Sequence, residues 1–108
     1  MKGIITHLRK AFDHRIRLGV MSMLMVEEWV DFTHLRDNLE VSDGNLASHL
    51  KTLEKAEYLS IEKRFVGRKP NTRYKATKAG RTAFQKHLEA LEYLIKQAEN
   101  PNDNSNPK

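Results

Sequence analysis

Between Leu46 and Ala98 the spacing of apolar residues changes twice, and this constrains the fold more than any other feature. Leu46, Leu50 and Leu53 fall at i, i+4 and i+7, the buried stripe of one helix. From Leu59 the period drops to two. Leu59, Ile61 and Phe65 alternate with Ser60, Glu62 and Arg64; after a turn at 67–71, Thr72, Tyr74 and Ala76 alternate with Arg73 and Lys75. Phe84, Leu88, Leu91, Ile95 and Ala98 then step by 4, 3, 4 and 3, a heptad-like seam. The pattern predicts a helix over 43–56, a β-hairpin with one apolar and one basic face, and a long last helix over 78–98. Phe65, Tyr74 and Ala76 are the expected anchors of the hairpin on the core. Pro70 and Gly67 hold its tip to turn geometry.

Upstream, Ile4, Ile5, Leu8 and Phe12 lie at helical spacing, which predicts a first helix over 4–12. Asp13 is a candidate cap for a second, with Ile16, Val20, Met23 and Leu24 as its buried stripe. Met21, Met23 and Met25 alternate there and read as core packing rather than a ligand surface. Val30 and Phe32 predict a very short strand. Thr33 is the expected cap of a two-turn helix, Ser42 of the next, and Thr77 of the last. Residues 1–98 are expected to form a single domain, and the polar stretch 99–108, with two prolines, a disordered tail. The element order is helix, helix, short strand, helix, turn, helix, hairpin, long helix. The fold class is therefore mainly α with a small β-hairpin: a winged helix-turn-helix with a long C-terminal helix.

Charge is concentrated. The net charge is +5, yet residues 63–86 hold nine Lys or Arg and no acid, which leaves ten basic and fourteen acidic residues for the rest. A block of this kind on an otherwise acidic chain points to a polyanionic partner. There is no cysteine, so disulfides, thiolate catalysis and Cys-based metal sites are excluded. His7, His14, His34 and His87 show no paired ligand spacing, and no metal or cofactor site is expected. No phosphate-binding Gly loop, metal-protease motif or nucleophile elbow is present, and Ser48 beside His49 diverges on a helix, so no enzyme is expected. No apolar run approaches a membrane span, and a cytoplasmic location fits the composition.

On a helical wheel, Gly44, Ser48, Lys51, Thr52 and Lys55 fall opposite the leucine stripe, with Asn45 at the margin. This face has no acid. Its short hydrogen-bonding groups suit base edges or phosphates, and Asn suits adenine. A solvated, well-capped face is the alternative, and it leaves the neighbouring basic hairpin unexplained. On the hairpin, Arg64, Arg73 and Lys75 share the outward face with Glu62, and Arg68 and Lys69 sit at the tip. Lys78 and Arg81 are within reach of adjacent phosphates. Charges that merely blunt a hairpin edge account for a few of these cations, not for nine. His49 lies on the flank of the apolar stripe, where a partly buried histidine bonded to another helix is one reading. Trp29, beside Glu27 and Glu28, fits either a surface site or a subunit contact.

The stretch "FTHLRDNLEVSDGNLASHLKTLEKAEYLSIEKRFVGRKPNTRYKATKAG" resembles winged-helix transcriptional regulators of the MarR and ArsR type. It is closest to a small bacterial and archaeal subgroup that pairs a "NL..HL..Le" recognition helix with an "R.p.T.Y..T..G" wing. The resemblance covers about residues 12–95. It implies a homodimer that binds operator DNA and represses transcription, with the recognition helix in the major groove and the wing on the backbone or minor groove. It also implies a DNA contact for His49. Two departures stand out. Glu57 occupies the position of a family glycine, so the preceding helix is expected to end differently. The cysteine motif of metal-sensing ArsR proteins is absent, so metal sensing is not implied.

The expected partner is therefore double-stranded DNA, bound by Gly44, Asn45, Ser48, His49, Lys51, Thr52, Lys55, Arg64, Arg68, Lys69, Arg73 and Lys75. The stripes of 4–20 and 84–98 exceed what a small core buries, which predicts a homodimer through them. A small-molecule effector, if there is one, would sit at that interface, since no separate effector domain is visible. A protein-interaction module using the same surface remains the alternative.

Overall fold

The computed structural model describes residues 3–99. Two 3-10 turns, Ile4–His7 and Lys10–Phe12, lead into α1 (Arg15–Val26). Then come β1 (Val30–Asp31), α2 (Phe32–Leu39), α3 (Asp43–Lys55), β2 (Leu59–Val66), β3 (Lys69–Ala76) and α4 (Lys78–Glu99). The three strands form one antiparallel sheet in the order β1-β3-β2. This is a winged helix-turn-helix with a long last helix.

The core forms where the stripes of the elements meet. Ile16, Val20, Met21 and Leu24 of α1, Leu35 of α2 and the three leucines of α3 are buried against Leu59, Tyr74, Ala76 and Phe84. Met23 is only half-buried, and Met21 takes its place in the interior. Gly80 sets the closeness of one contact. A Cβ there would overlap the carbonyl oxygen of Tyr58, so α4 begins hard against the turn after α3. Thr77 fixes the same junction: its hydroxyl donates to Glu57 O (2.8 Å) and accepts from Gly80 N–H (2.9 Å), capping α4 as expected.

Several local expectations are corrected. Residues 4–12 are not one helix. Leu8 and Arg9 are extended, and Arg9 N–H donates to His87 Nδ1 (3.0 Å) rather than to a helical carbonyl. Of this segment only Phe12 is buried, wedged among Tyr58, Phe84 and His87 with ring centroids 5.1–5.2 Å away. α1 is capped by His14, whose Nδ1 accepts from Ile16 N–H, because Asp13 is held in the preceding 3-10 turn. α2 is capped by Asp31, not Thr33: β1 runs straight into the helix, and Asp31 Oδ1 accepts from His34 N–H (2.8 Å). Ser42 caps α3 as expected.

The end of α3 is also corrected. Glu57 adopts φ 65°, Tyr58 N–H reaches Leu53 O (3.0 Å) and Glu57 N–H reaches Glu54 O (2.8 Å). These two bonds make the left-handed cap that a glycine would favour, formed here by glutamate. The hairpin turn is shorter than expected. Val66 pairs with Lys69, which leaves only Gly67 and Arg68 in the turn. Gly67 alone has positive φ (65°), as the first position of a tight hairpin turn requires. Phe65 does not anchor the hairpin; it is 72% exposed. It shares a strand face with Leu59 but lies six residues further on, roughly 20 Å along the strand and beyond the core. Glu99 ends α4, and the tail expected after it lies outside the described residues.

Candidate nucleic-acid interface

α3 presents the expected outer face. Leu46, Leu50 and Leu53 are buried, which turns Gly44, Asn45, Ser48, Lys51, Thr52 and Lys55 outward, and all six are exposed. Thr52 Oγ1 donates to Ser48 O (3.3 Å), an intrahelical bond that leaves the hydroxyl lone pairs open. Asp43, at the start of the helix, is held back by Arg36 Nη1 (3.0 Å), which ties α2 to α3 across the turn. The two nearby aspartates, Asp43 and then Asp37, raise the pKa of the Arg36 guanidinium.

His49 is placed differently from its α3 neighbours. Its Nδ1 meets Arg17 Nη1 at 3.0 Å and its ring lies 4.1 Å from that of His14, so α1 holds it on the flank of the outer face. Burial, then the positive potential of His14 and Arg17, lower its pKa below the ordinary 6.5.

The register sorts the wing cations. Ile61 faces Tyr74, Glu62 faces Arg73, Lys63 faces Thr72 and Arg64 faces Asn71. Alternation then puts Arg73, Lys75, Arg64 and Glu62 on the sheet face opposite Tyr74. Arg73 forms an ion pair with Glu62 and lies 4.2 Å over the Trp29 ring. Lys75 pairs with Glu28 (3.3 Å), its Nζ 5.4 Å from the same ring. Trp29 and two acids thus engage these two cations. Arg64 Nε donates to Asn71 Oδ1 (3.0 Å), and neither it nor the exposed Arg68 and Lys69 has an acidic partner among the described residues. Arg81 is also committed elsewhere: its Nη2 donates to Leu24 O (3.0 Å) at the end of α1.

One cation was missed. Lys63 lies on the face of the wing turned to α3 and, with Lys51, Glu54 and Thr72, lines a groove of about 500 Å³ between helix and hairpin. The signal was in the sequence, since Lys63 occupies an apolar position in the Leu59, Ile61, Phe65 alternation. Tyr74 forms part of the same groove; burial, then the charge of Glu54, push its phenol above 10. α3 and a slim basic hairpin thus flank one open cleft.

Residues 16–95 match the winged helix DNA-binding domain family. The chain belongs to that family. It is 31% identical over 90 residues to an uncharacterized protein of Methanocaldococcus jannaschii, covering 83% of this chain and 98% of that one. Its fold is similar to that of a transcriptional regulator homologue from Pyrococcus horikoshii OT3 (TM-score 0.81, 24% identity, 91% of this chain and 98% of the other). It is also similar to the YusO protein of Bacillus subtilis (TM-score 0.74, 14% identity, 88% and 67%). Among the described residues of this winged helix DNA-binding domain, no helix is long and apolar enough to cross a membrane.

Proposed function

We propose that this winged helix domain is a sequence-specific, double-stranded DNA-binding transcriptional regulator that acts as a homodimeric repressor. One observation carries the reading: the outer face of α3 formed by Gly44, Asn45, Ser48, Lys51, Thr52 and Lys55 is exposed and carries no acid, Glu54 lying on its flank in the cleft, and it stands beside wing cations, Arg64, Arg68 and Lys69, that have no acidic partner among the described residues. In this reading α3 enters the major groove. Asn45, Ser48 and Thr52 address base edges, and Lys51, Lys55 and Lys63 address the phosphates beside the cleft. The wing tip lies along the backbone or minor groove. Arg73 and Lys75 contribute to the field while braced by Glu62, Glu28 and Trp29, and His49 positions α3 against α1 rather than touching DNA.

Dimerisation would run through the N-terminal segment and α4. Ile5 (62%), Leu88 (42%) and Ile95 (56%) are exposed apolar side chains on those elements. A dimer that covers a promoter would exclude polymerase, which is the basis for repression. The test is titration of the full chain with random duplexes at several salt concentrations, followed by selection of bound sequences from a random pool. Steeply salt-dependent binding with a preferred two-fold symmetric sequence supports the reading. No binding even at low salt would overturn it in favour of a protein-interaction module on the same surface.

A further inference from the structure

Phe65 and Val66 form an exposed apolar tip on a basic hairpin, 72% and 54% accessible. Such an edge normally carries charge that keeps it from associating. Here an aromatic ring stands there instead, two residues beyond Lys63 on the same strand face and opposite Pro70. Both Lys63 and Pro70 line the cleft against α3, so Phe65 sits at the open end of that cleft. β1 reaches only to Arg73, so the ribbon beyond it is two strands wide. Gly67, without a side chain and with φ 65°, closes it in a two-residue turn.

The shape and charge select the occupant. A whole two-stranded ribbon is too broad for the roughly 6 Å minor groove of B-DNA, but its tip is not the whole ribbon: Gly67 carries no side chain and stands in open space, so single side chains beside it, the Phe65 ring among them, are what a groove of that width admits. An apolar protein pocket would need acids around it to match Lys63, Arg64, Arg68 and Lys69. A base-pair step already has phosphates on both sides. Resting on the proposed DNA-binding function, we propose that Phe65 is a wedge that enters the minor groove beside the α3 site, inserts between two base pairs and kinks the duplex. Phe, Leu, Ile, Met and Pro side chains act as such wedges and bend DNA by roughly 20–90°. The wing would then contribute sequence preference without reading a base edge, because flexible pyrimidine–purine steps open most cheaply.

The experiment uses the full chain and a duplex selected by it from a random pool. End-to-end fluorescence transfer reads the bend, and 2-aminopurine placed along the site reads unstacking. Expected for the wild type are a bend and one bright step per half-site. Phe65→Ala should abolish both and weaken binding about tenfold. Its melting temperature and salt slope should be unchanged, because the ring is exposed and no charge is removed. Phe65→Leu should restore the bend. Wild-type affinity and bend in Phe65→Ala would overturn the wedge alone. Dissociation of the Phe65→Ala dimer on sedimentation would also overturn it, by placing the ring in the subunit contact. A wild type that binds no duplex at low salt would instead remove the DNA-binding reading itself.

Discussion

His87 is 3% exposed, and its Nδ1 accepts the Arg9 backbone N–H (3.0 Å), a bond that only an imidazole unprotonated at Nδ1 can accept. Burial lowers its pKa; Asp13 opposes this and Arg9 adds to it. His49 is shifted in the same direction by burial, His14 and Arg17. In both cases the folded state resists a proton that the unfolded chain accepts near the ordinary value of 6.5. Their contribution is therefore complete above that pH and is lost as pH falls below it. Each unit of depression at buried His87 corresponds to about 1.4 kcal/mol. The melting temperature should fall between pH 7 and pH 5, and His87→Gln, which keeps an acceptor but does not titrate, should shallow that fall. A wild type no less stable at pH 5 would refute the assignment. Glu57 permits a simpler test. Glu57→Gly should raise stability by roughly 0.5–1 kcal/mol in denaturant titration, since glycine relieves the left-handed strain at some entropic cost. An unchanged or lower midpoint would mean that the glutamate side chain contributes more than the strain it imposes.

The wing divides into braced and unbraced cations, and the two sets should respond differently. Arg68→Ala with Lys69→Ala should weaken binding to all duplexes and reduce the salt slope by about two, one for each phosphate no longer neutralised. Arg73→Ala with Lys75→Ala removes the same charge, but from side chains already paired with Glu62 and Glu28, and should change the slope less. Equal slopes for the two variants would mean that the ion pairs open on DNA. Periodicity made α3, the hairpin and α4 legible, because each buries a regular stripe on one core. It could not show where that core stops: Phe65 obeys the alternation of Leu59 and Ile61 and still projects into solvent. Nor could it pair Lys75 with Glu28, which reaches the hairpin only because β1 docks on β3. Helix ends were misplaced by one or two residues at Asp13 and Thr33. There several good capping residues are adjacent, and backbone bonding of the preceding turn or strand decides between them.

The described residues extend 61 × 25 × 21 Å, and much of that length belongs to α4 with its 22 residues. Its buried residues, Gly80, Ala83, Phe84, His87 and Ala90, lie in its first two-thirds, and none is buried after Ala90. Leu91, Tyr93 and Leu94 are half-buried, while Leu88 and Ile95 stay exposed on the same seam. A second copy of α4 would complete that seam, and the exposed Ile5 would flank it. Leu88→Asp with Ile95→Asp should therefore yield a folded monomer, since neither side chain belongs to the core. Sedimentation should show half the wild-type mass, and the melting temperature should lose its dependence on protein concentration. The consequence on DNA follows from geometry. In the proposed homodimer, two α3 helices about 34–36 Å apart would engage two half-sites at once. Separated copies bind each half-site singly and forfeit an avidity on the order of 10²–10⁴. The monomer should thus lose its preference for two-fold symmetric sites while still binding a single half-site in a salt-dependent way. Wild-type sedimentation of the double variant would place the subunit contact elsewhere, and tight binding to symmetric sites by a true monomer would separate dimerisation from recognition.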